Sequence, residues 1–176
     1  RHTRLLTVTE VQTCALPISM GTPQANVVQR IGYFGANNGI FFENNSGNNY
    51  LVLRSSVTGN VVETRVAQTD WNVDKFDGTG YSSQIRVNEN GTTALDVTKG
   101  NIYWIDVEWL GVGDVRCGFV VNGSMKTAHI FHNDNKNPTT YMRSAILPIR
   151  YEIFNTGVTE SNTVMRQICS TVISEG

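Results

Sequence analysis

The side chains that could do chemistry are concentrated in one stretch of the chain, residues 102–131. Asp106 and Glu108 are two residues apart in the alternating segment IYWIDVEW, so on a β-strand both carboxylates point to the same face. Glycoside hydrolases use paired carboxylates, and a retaining enzyme needs them about 5–5.5 Å apart. One hypothesis is therefore a glycoside hydrolase that uses Asp106 and Glu108.

An ordinary structural role explains the same pair of carboxylates. If residues 115–121 form the next strand, Glu108 faces Arg116 across the two strands, a contact worth about 0.2–1 kcal/mol. An arginine beside a carboxylate favours the ionised form, which makes a poor general acid. The sequence also contains no Ser-His-Asp order, phosphate-binding glycine loop or redox motif. We therefore predict no catalytic residues and no enzymatic activity.

A binding face is the alternative use of these residues. The same register places His129 beside Arg116, so that Trp104, Asp106, Glu108, Arg116 and His129 share one side of a sheet. An aromatic ring, two carboxylates, an arginine and a histidine can stack on a sugar and hydrogen-bond to it. Such clusters also mark protein interfaces. The face is thus a candidate site for a host surface glycan or a subunit contact.

The opposite face of the same segment is apolar and predicts the core. Five residues are expected to form it: Ile105, Val107, Trp109, Val115 and Phe119. A five-residue loop, 110–114, would pair Trp109 with Val115 and, further along, Val107 with Cys117 and Ile105 with Phe119. A slip by one residue would move an entire apolar set to the wrong face.

A hairpin signal follows this pair of strands. Asn122-Gly123 is typical of a two-residue turn. It would fold residues 124–131 back onto residues 115–121, with Gly118 opposite Thr127, Cys117 opposite Ala128 and Arg116 opposite His129. Residues 102–131 are therefore predicted to form a three-stranded meander.

No metal or cofactor site is predicted. His129 and His132 are three residues apart, so on a strand they face opposite sides and cannot share one ion. Asp70, Asp74 and Asp77 form an acidic loop, but their spacing does not match a calcium-binding loop flanked by helices. The three cysteines are widely spaced and form neither a disulfide framework nor a CxxC pair.

Composition limits the possible partners and indicates the fold. Charged residues make up 16% of the chain, well below the usual ~25%, and the net charge is −1. We therefore expect neither a nucleic-acid surface nor a membrane span. About ten short strands separated by Gly-, Asn- and Ser-rich turns predict an all-β fold, an antiparallel β-sandwich of the jelly-roll, concanavalin-like type.

Several long strings resemble a largely uncharacterised family of virion structural proteins from tailed phages, often marine ones. They are GYFGANNGIFFENN (32–45), DWNVDKFDGTG (70–80), NIYWIDVEWLGVGDVRCGFVVNG (101–123), LPIRYEI (147–153) and QICSTVISEG (167–176). The resemblance covers residues 30–176 and implies a virion component, without implying catalysis. The segment Ser82–Thr93 departs from the family pattern as an insertion, and whether it forms a strand stays open.

The N-terminal segment is a separate case. Residues 12–18 (QTCALPI) resemble a translated sequencing adapter, so residues 1–18 are predicted to be an artefact without a fold, although residues 5–10 could alternatively form an edge strand. Residues 19–176 would then be a single sandwich domain that is cut short at its C-terminus.

The function predicted from the sequence is therefore structural. We expect a fibre, tail or capsid-decoration subunit that acts by assembly in the virion, with other virion proteins and copies of itself as partners, and with a trimer as the first expectation. A glycan- or receptor-binding module and the glycoside hydrolase are the alternatives.

Overall fold

Two antiparallel sheets contain nearly all the regular structure of the computed structural model, which describes residues 10–79, 94–109 and 111–175. In chain order the strands are β1 (Glu10–Ser19), β2 (Val27–Phe34), β3 (Gly39–Asn45), β4 (Asn48–Ser55), β5 (Val62–Ala67), β6 (Asn101–Trp109), β7 (Val115–Val121), β8 (Ser124–Phe131), β9 (Ile149–Asn155), β10 (Arg166–Gln167) and β11 (Thr171–Glu175). The predicted all-β antiparallel sandwich is confirmed. The question of a strand in Ser82–Thr93 lies outside the described residues.

The strand order places opposite ends of the chain side by side. The first sheet runs β10–β1–β6–β7–β8, with β11 also paired to β1, and the second runs β5–β4–β3–β2–β9. The Asn122-Gly123 turn between β7 and β8 has positive φ at both residues, +53° and +75°, so the predicted two-residue hairpin is confirmed. No helix in the described ranges is long and apolar enough to cross a membrane.

The core lies between the two sheets and is rich in aromatic rings. Phe119 is at its centre, where its ring contacts four others: those of Phe42, Trp71, Phe76 and Tyr103, with centroids 5.3–6.2 Å away. Four of the residues predicted for the core, Ile105, Val107, Val115 and Phe119, are buried here, and Trp109 packs half-buried against the same cluster. The facing assigned from the alternation of β6 is therefore correct.

The predicted register between β6 and β7 is wrong by two residues. Val107, not Trp109, pairs with Val115, and Ile105 pairs with Cys117. The strands separate earlier because the backbone N–H of Glu108 donates to the carbonyl of Asp114 and closes a wider turn. A shift of two residues keeps every side chain on its own face, so the hydrophobic pattern fits both registers and could not choose between them.

A β-bulge overturns part of the predicted register between β7 and β8. Gly118 pairs with Thr127 as expected, but Cys117 then pairs with His129 and Arg116 with Ile130, because Ala128 is an extra residue on β8. The carbonyl of Ala128 accepts two hydrogen bonds, from the N–H groups of Val73 and Asp74. The loop after β5 is thereby attached to the outer edge of β8.

The expectation that residues 1–18 have no fold is wrong for residues 10–18. They belong to β1, an interior strand that pairs with β6 from Glu10–Trp109 to Ile18–Asn101 and with β10 and β11 on its other side. Leu16 and Ile18 point into the core and are buried, which anchors the strand. Residues 1–9 lie outside the described residues, and the adapter origin of the segment stays a prediction.

Candidate functional site

Asp106, Glu108 and Arg116 meet on the outer face of the first sheet, as the sequence predicted. Arg116 lies directly opposite Asp106 in the β6–β7 register, and not opposite Glu108 as predicted, because of the two-residue shift. Its Nη2 is 2.5 Å from Asp106 Oδ2 and 3.1 Å from Glu108 Oε1, so one guanidinium group serves both carboxylates. Asp106 is almost completely buried, whereas about half of the Glu108 side chain is exposed to solvent.

This geometry does not favour acid–base catalysis. A glycosidase needs one carboxyl group in surroundings that keep it protonated, as in an apolar pocket. Here Arg116 forms an ion pair with Asp106 and donates a hydrogen bond to Glu108. Glu108 is also open to water. The arrangement is that of a cross-strand ion-pair triad, which stabilises the pairing of β6 and β7.

Trp104 does not present its ring to a ligand. Only 4% of the residue is exposed, and its indole lies across Gly118, where a Cβ atom would come within 2.9 Å of Trp104 Cζ2. The buried Nε1 donor has no hydrogen-bond partner among the described residues. The predicted stacking surface therefore lacks its aromatic platform.

His129 does not belong to the Arg116 face. The bulge at Ala128 places His129 opposite Cys117, a core residue, and its ring makes an edge-on contact with Phe131 at 4.6 Å. Its Nδ1 accepts a hydrogen bond from the backbone N–H of Asn72. Burial, with a smaller contribution from the nearby His132, lowers the pKa of His129 to about 4, so the imidazole is neutral at pH 7.

A second charged surface, which the sequence analysis did not identify, covers the outer face of the second sheet. We call it the arginine–glutamate layer; it consists of Arg30, Arg54, Arg65, Arg150, Glu43, Glu63 and Glu152. At its centre Glu43 is fully buried, with Arg30 Nε 2.7 Å from its Oε2 and Arg65 Nη2 on its Oε1. Burial alone would raise the pKa of Glu63, but hydrogen bonds from Arg54 and Arg65 outweigh it and lower the pKa.

Aromatic rings support this layer from below. Phe34 and Phe41 are fully buried beneath it, and the guanidinium of Arg54 lies 4.9 Å from the Phe41 ring centroid. Gly32 makes room for Phe41, because a Cβ on Gly32 would be 2.6 Å from Phe41 Cα. Its arginines pair with glutamates, and Arg54 also donates to a main-chain carbonyl, so the layer stabilises the sheet and leaves few groups for a ligand.

The sequence did contain a signal for the arginine–glutamate layer. Arg30 is directly opposite both Glu43 and Glu152, and Arg54 is directly opposite Glu63. Opposite charges at matched positions of consecutive strands would have revealed the Arg30–Glu43 and Arg54–Glu63 pairs. Glu152 is too distant in the sequence for such a signal.

The side chains of the acidic loop and of His132 make local contacts with their neighbours. Asp74 Oδ1 accepts the N–H of Phe76, and Asp77 Oδ1 accepts the N–H and hydroxyl of Thr79. His132 Nδ1 is 2.8 Å from Asp114 Oδ2. Within residues 10–79, 94–109 and 111–175 no three His, Cys, Asp or Glu side chains are grouped so as to hold a metal ion.

Comparison with known proteins gives only weak likenesses. No protein-family model matches the chain, and no curated protein matches it. Among solved structures it is similar to HCR/D in mutant form (13% identity, TM-score 0.46, 94% of this chain and 34% of that chain). It is also similar to the receptor binding domain of botulinum neurotoxin D (13% identity, TM-score 0.44, 99% of this chain and 36% of that chain). A third similar structure is the receptor binding domain of the botulinum neurotoxin C/D mosaic serotype (13% identity, TM-score 0.39, 90% of this chain and 32% of that chain).

The chain spans about a third of the length of these structures. At such scores the likeness identifies neither a family nor a function. What the structure establishes is the class of protein, an all-β sandwich with two antiparallel sheets.

Proposed function

We propose that the chain is a structural subunit of a tailed-phage particle and that it acts by assembling with copies of itself. The contact would be formed by residues 153–173, which we call the apolar edge. Two independent observations support the proposal: the resemblance of residues 30–176 to virion structural proteins, and the distribution of exposed apolar side chains in the structure.

Exposed apolar side chains are concentrated in the apolar edge. Of the fourteen large hydrophobic residues that are exposed in the described part of the chain, seven lie there: Ile153, Phe154, Val158, Val164, Ile168, Val172 and Ile173. Scattered exposed apolar residues are normal, but a cluster of them marks a protein interface. This concentration is the observation that carries the proposal.

Neighbouring residues in the strands of the apolar edge are exposed on both faces. Successive residues of a strand point to opposite sides, yet Val172 and Ile173 on β11 are 45% and 54% exposed, and Ile153 and Phe154 at the end of β9 are 46% and 38% exposed. The described chain therefore covers neither face of the strands completely at these positions, although Ile149 and Tyr151 of β9 pack against the core. A second copy would bury the surface that a lone sandwich leaves in water.

The opposite edge of the first sheet is protected in a different way. The side-chain amide of Asn72 donates to the carbonyl of Ile130 and accepts from its N–H, both at 2.9 Å, so that it mimics a neighbouring strand. Proteins cover sheet edges in this way to prevent unwanted pairing. The contrast with β9 and β11, which end their sheets, favours the apolar edge as the assembly surface.

Light scattering coupled to size-exclusion chromatography tests the assembly. We expect a closed oligomer, with a trimer as the first expectation for a fibre-like part, and dissociation in Ile168→Asp. Ile146→Asp is the matched control, because Ile146 is 91% exposed, compared with 78% for Ile168, but lies outside the apolar edge. A chain that is monomeric at high concentration, or equal dissociation in both variants, would contradict assembly through this edge.

Long-read sequencing of the source DNA tests the virion assignment itself. Neighbouring genes for capsid and tail proteins would support it. Neighbours that encode sugar transporters or hydrolases would contradict it, whatever the oligomeric state.

A further inference from the structure

A groove opens between the two sheets at the edge formed by β5 and β8, on the side of the sandwich away from the apolar edge. Its volume is about 350 Å³, near the lower limit of small-molecule sites. Its apolar wall comes from both sheets, with Leu53 and Val66 on one and Phe131 on the other.

The groove offers two hydrogen-bond donors, the imidazole of His129 and the ammonium group of Lys136. Because Nδ1 of His129 accepts the N–H of Asn72, the proton of this neutral imidazole is assigned to Nε2. No hydrogen bond from Nε2 to another described residue is formed. Lys136 is exposed at the rim and carries a positive charge. Nδ1 of His132 faces the carboxylate of Asp114 and donates to it, so Nε2 of the neutral His132 ring is an acceptor for a ligand hydroxyl.

None of the described residues that line the groove is a carboxylate. Asp114 is behind His132; it accepts the backbone N–H of Asn133 at 2.9 Å and faces the His132 ring. These contacts, opposed by partial burial, lower the pKa of Asp114 and keep it ionised at pH 7. A ligand that enters the groove therefore meets the ammonium group of Lys136 and the Nε2–H of His129, while the charge of Asp114 is already paired.

We propose that this groove binds an acidic sugar, with its carboxylate at Lys136 and its ring against the Leu53–Val66–Phe131 wall. A pyranose ring has an apolar C–H face and acceptor hydroxyl groups, so it fits a groove that has both an apolar wall and donors. This groove, and not the face around Trp104, is then the sugar site. It does not depend on assembly, because the groove and the apolar edge are on opposite sides.

NMR titration of the whole chain, with both ligand and protein signals observed, tests the groove with three probes: glucuronate, its neutral analogue methyl glucoside, and acetate. We expect glucuronate to bind at least tenfold more tightly than either of the others, and to shift the imidazole ring signals of His129 and His132. Lys136→Ala should weaken glucuronate binding about tenfold, whereas Lys75→Ala, an exposed lysine away from the groove, should leave it unchanged.

Four results would overturn the proposal. The first is no binding of glucuronate, and the second is equal affinity in the Lys136→Ala and Lys75→Ala variants. The third is acetate binding as tight as glucuronate binding, which would reduce the site to a general anion site. The fourth is methyl glucoside binding as tight as glucuronate binding, which would remove the role of the carboxylate. Loss of oligomers in the light-scattering experiment would affect none of these measurements.

Discussion

Glu43→Gln is the most informative single change, because Glu43 is the fully buried centre of the arginine–glutamate layer. Its two carboxylate oxygens accept hydrogen bonds from Arg30 on β2, the neighbour of β3 on one side, and from Arg65 on β5, which reaches across β4 from the other side. Glutamine keeps the size of the side chain but removes its charge. The two guanidinium groups would then face each other without the anion between them.

The size of the effect follows from burial and from the remaining partners. Removing one partner of a buried ion pair costs about 3–5 kcal/mol. Arg30 keeps Glu152 at 3.4 Å and Arg65 keeps Glu63 at 2.9 Å, so the loss should be at the lower end. We expect the free energy of unfolding to fall by about 3 kcal/mol, which for a chain of this length lowers the melting temperature by roughly 6–12 °C.

Urea and thermal unfolding, followed by circular dichroism, measure this loss. Glu152→Gln is the matched control, because Glu152 pairs with the same Arg30 but its side chain is 22% exposed. It should cost about 1 kcal/mol or less, as expected for a more exposed pair. A double-mutant cycle of Glu43→Gln with Arg65→Met would isolate the Glu43–Arg65 coupling.

An equal loss in the free energy of unfolding for Glu43→Gln and Glu152→Gln would contradict a central role of Glu43. That result would mean that water or side-chain rearrangement compensates the two arginines, and that the layer is an ordinary charged surface. A coupling energy near zero between Glu43 and Arg65 would lead to the same conclusion.

Three further predictions concern the core and the first sheet. The pKa of His129 is about 4 in the folded chain and about 6.5 when unfolded, so the unfolded chain binds more protons between these pH values. The free energy of unfolding should therefore fall by about 3 kcal/mol as the pH decreases from 6.5 to 4. Urea unfolding measures this pH dependence, which should disappear in His129→Gln. Trp109→Ala removes a half-buried ring that packs edge-on to Tyr141 at 5.9 Å and should cost about 3 kcal/mol; an unchanged cooperative melt would contradict the facing of β6. Deletion of residues 1–18 removes the interior strand β1 and should abolish cooperative unfolding. A truncated chain that stays stable would show that β1 is dispensable, as expected of an adapter-derived segment.

Local sequence signals predicted the features that depend on side-chain parity and turn chemistry. The alternation of Ile105 and Val107 gave the correct core face, since the period of a strand fixes which residues point inward. Asn122-Gly123 gave the correct hairpin, because few other residue pairs adopt two positive φ angles easily.

The features that failed depend on contacts distant in the sequence. The β6–β7 register could not be chosen from the pattern, because a two-residue shift preserves parity. The bulge at Ala128 is stabilised by Val73 and Asp74, which lie on a loop more than fifty residues earlier. The burial of Trp104 depends on its packing across Gly118, on the neighbouring strand β7. A tryptophan and a glycine on different strands do not by themselves predict this contact. Of the predicted site residues, Asp106, Glu108 and Arg116 therefore lie together as ion pairs, whereas Trp104 is buried and His129 lies elsewhere.

The position of β1 has a consequence for how the chain reaches its fold. Strands β2 to β5 are consecutive hairpins, so the second sheet can begin to form from local contacts while the chain is still being synthesised. The first sheet can begin in the same way with β6 to β8, but it cannot be completed from local contacts, because β1 must wait for β6 on one side and for β10 and β11 on the other. Contacts between such distant segments slow folding. The first strand of the described chain is thus the last to be enclosed, and until then it remains an unpaired strand that a neighbouring chain could capture.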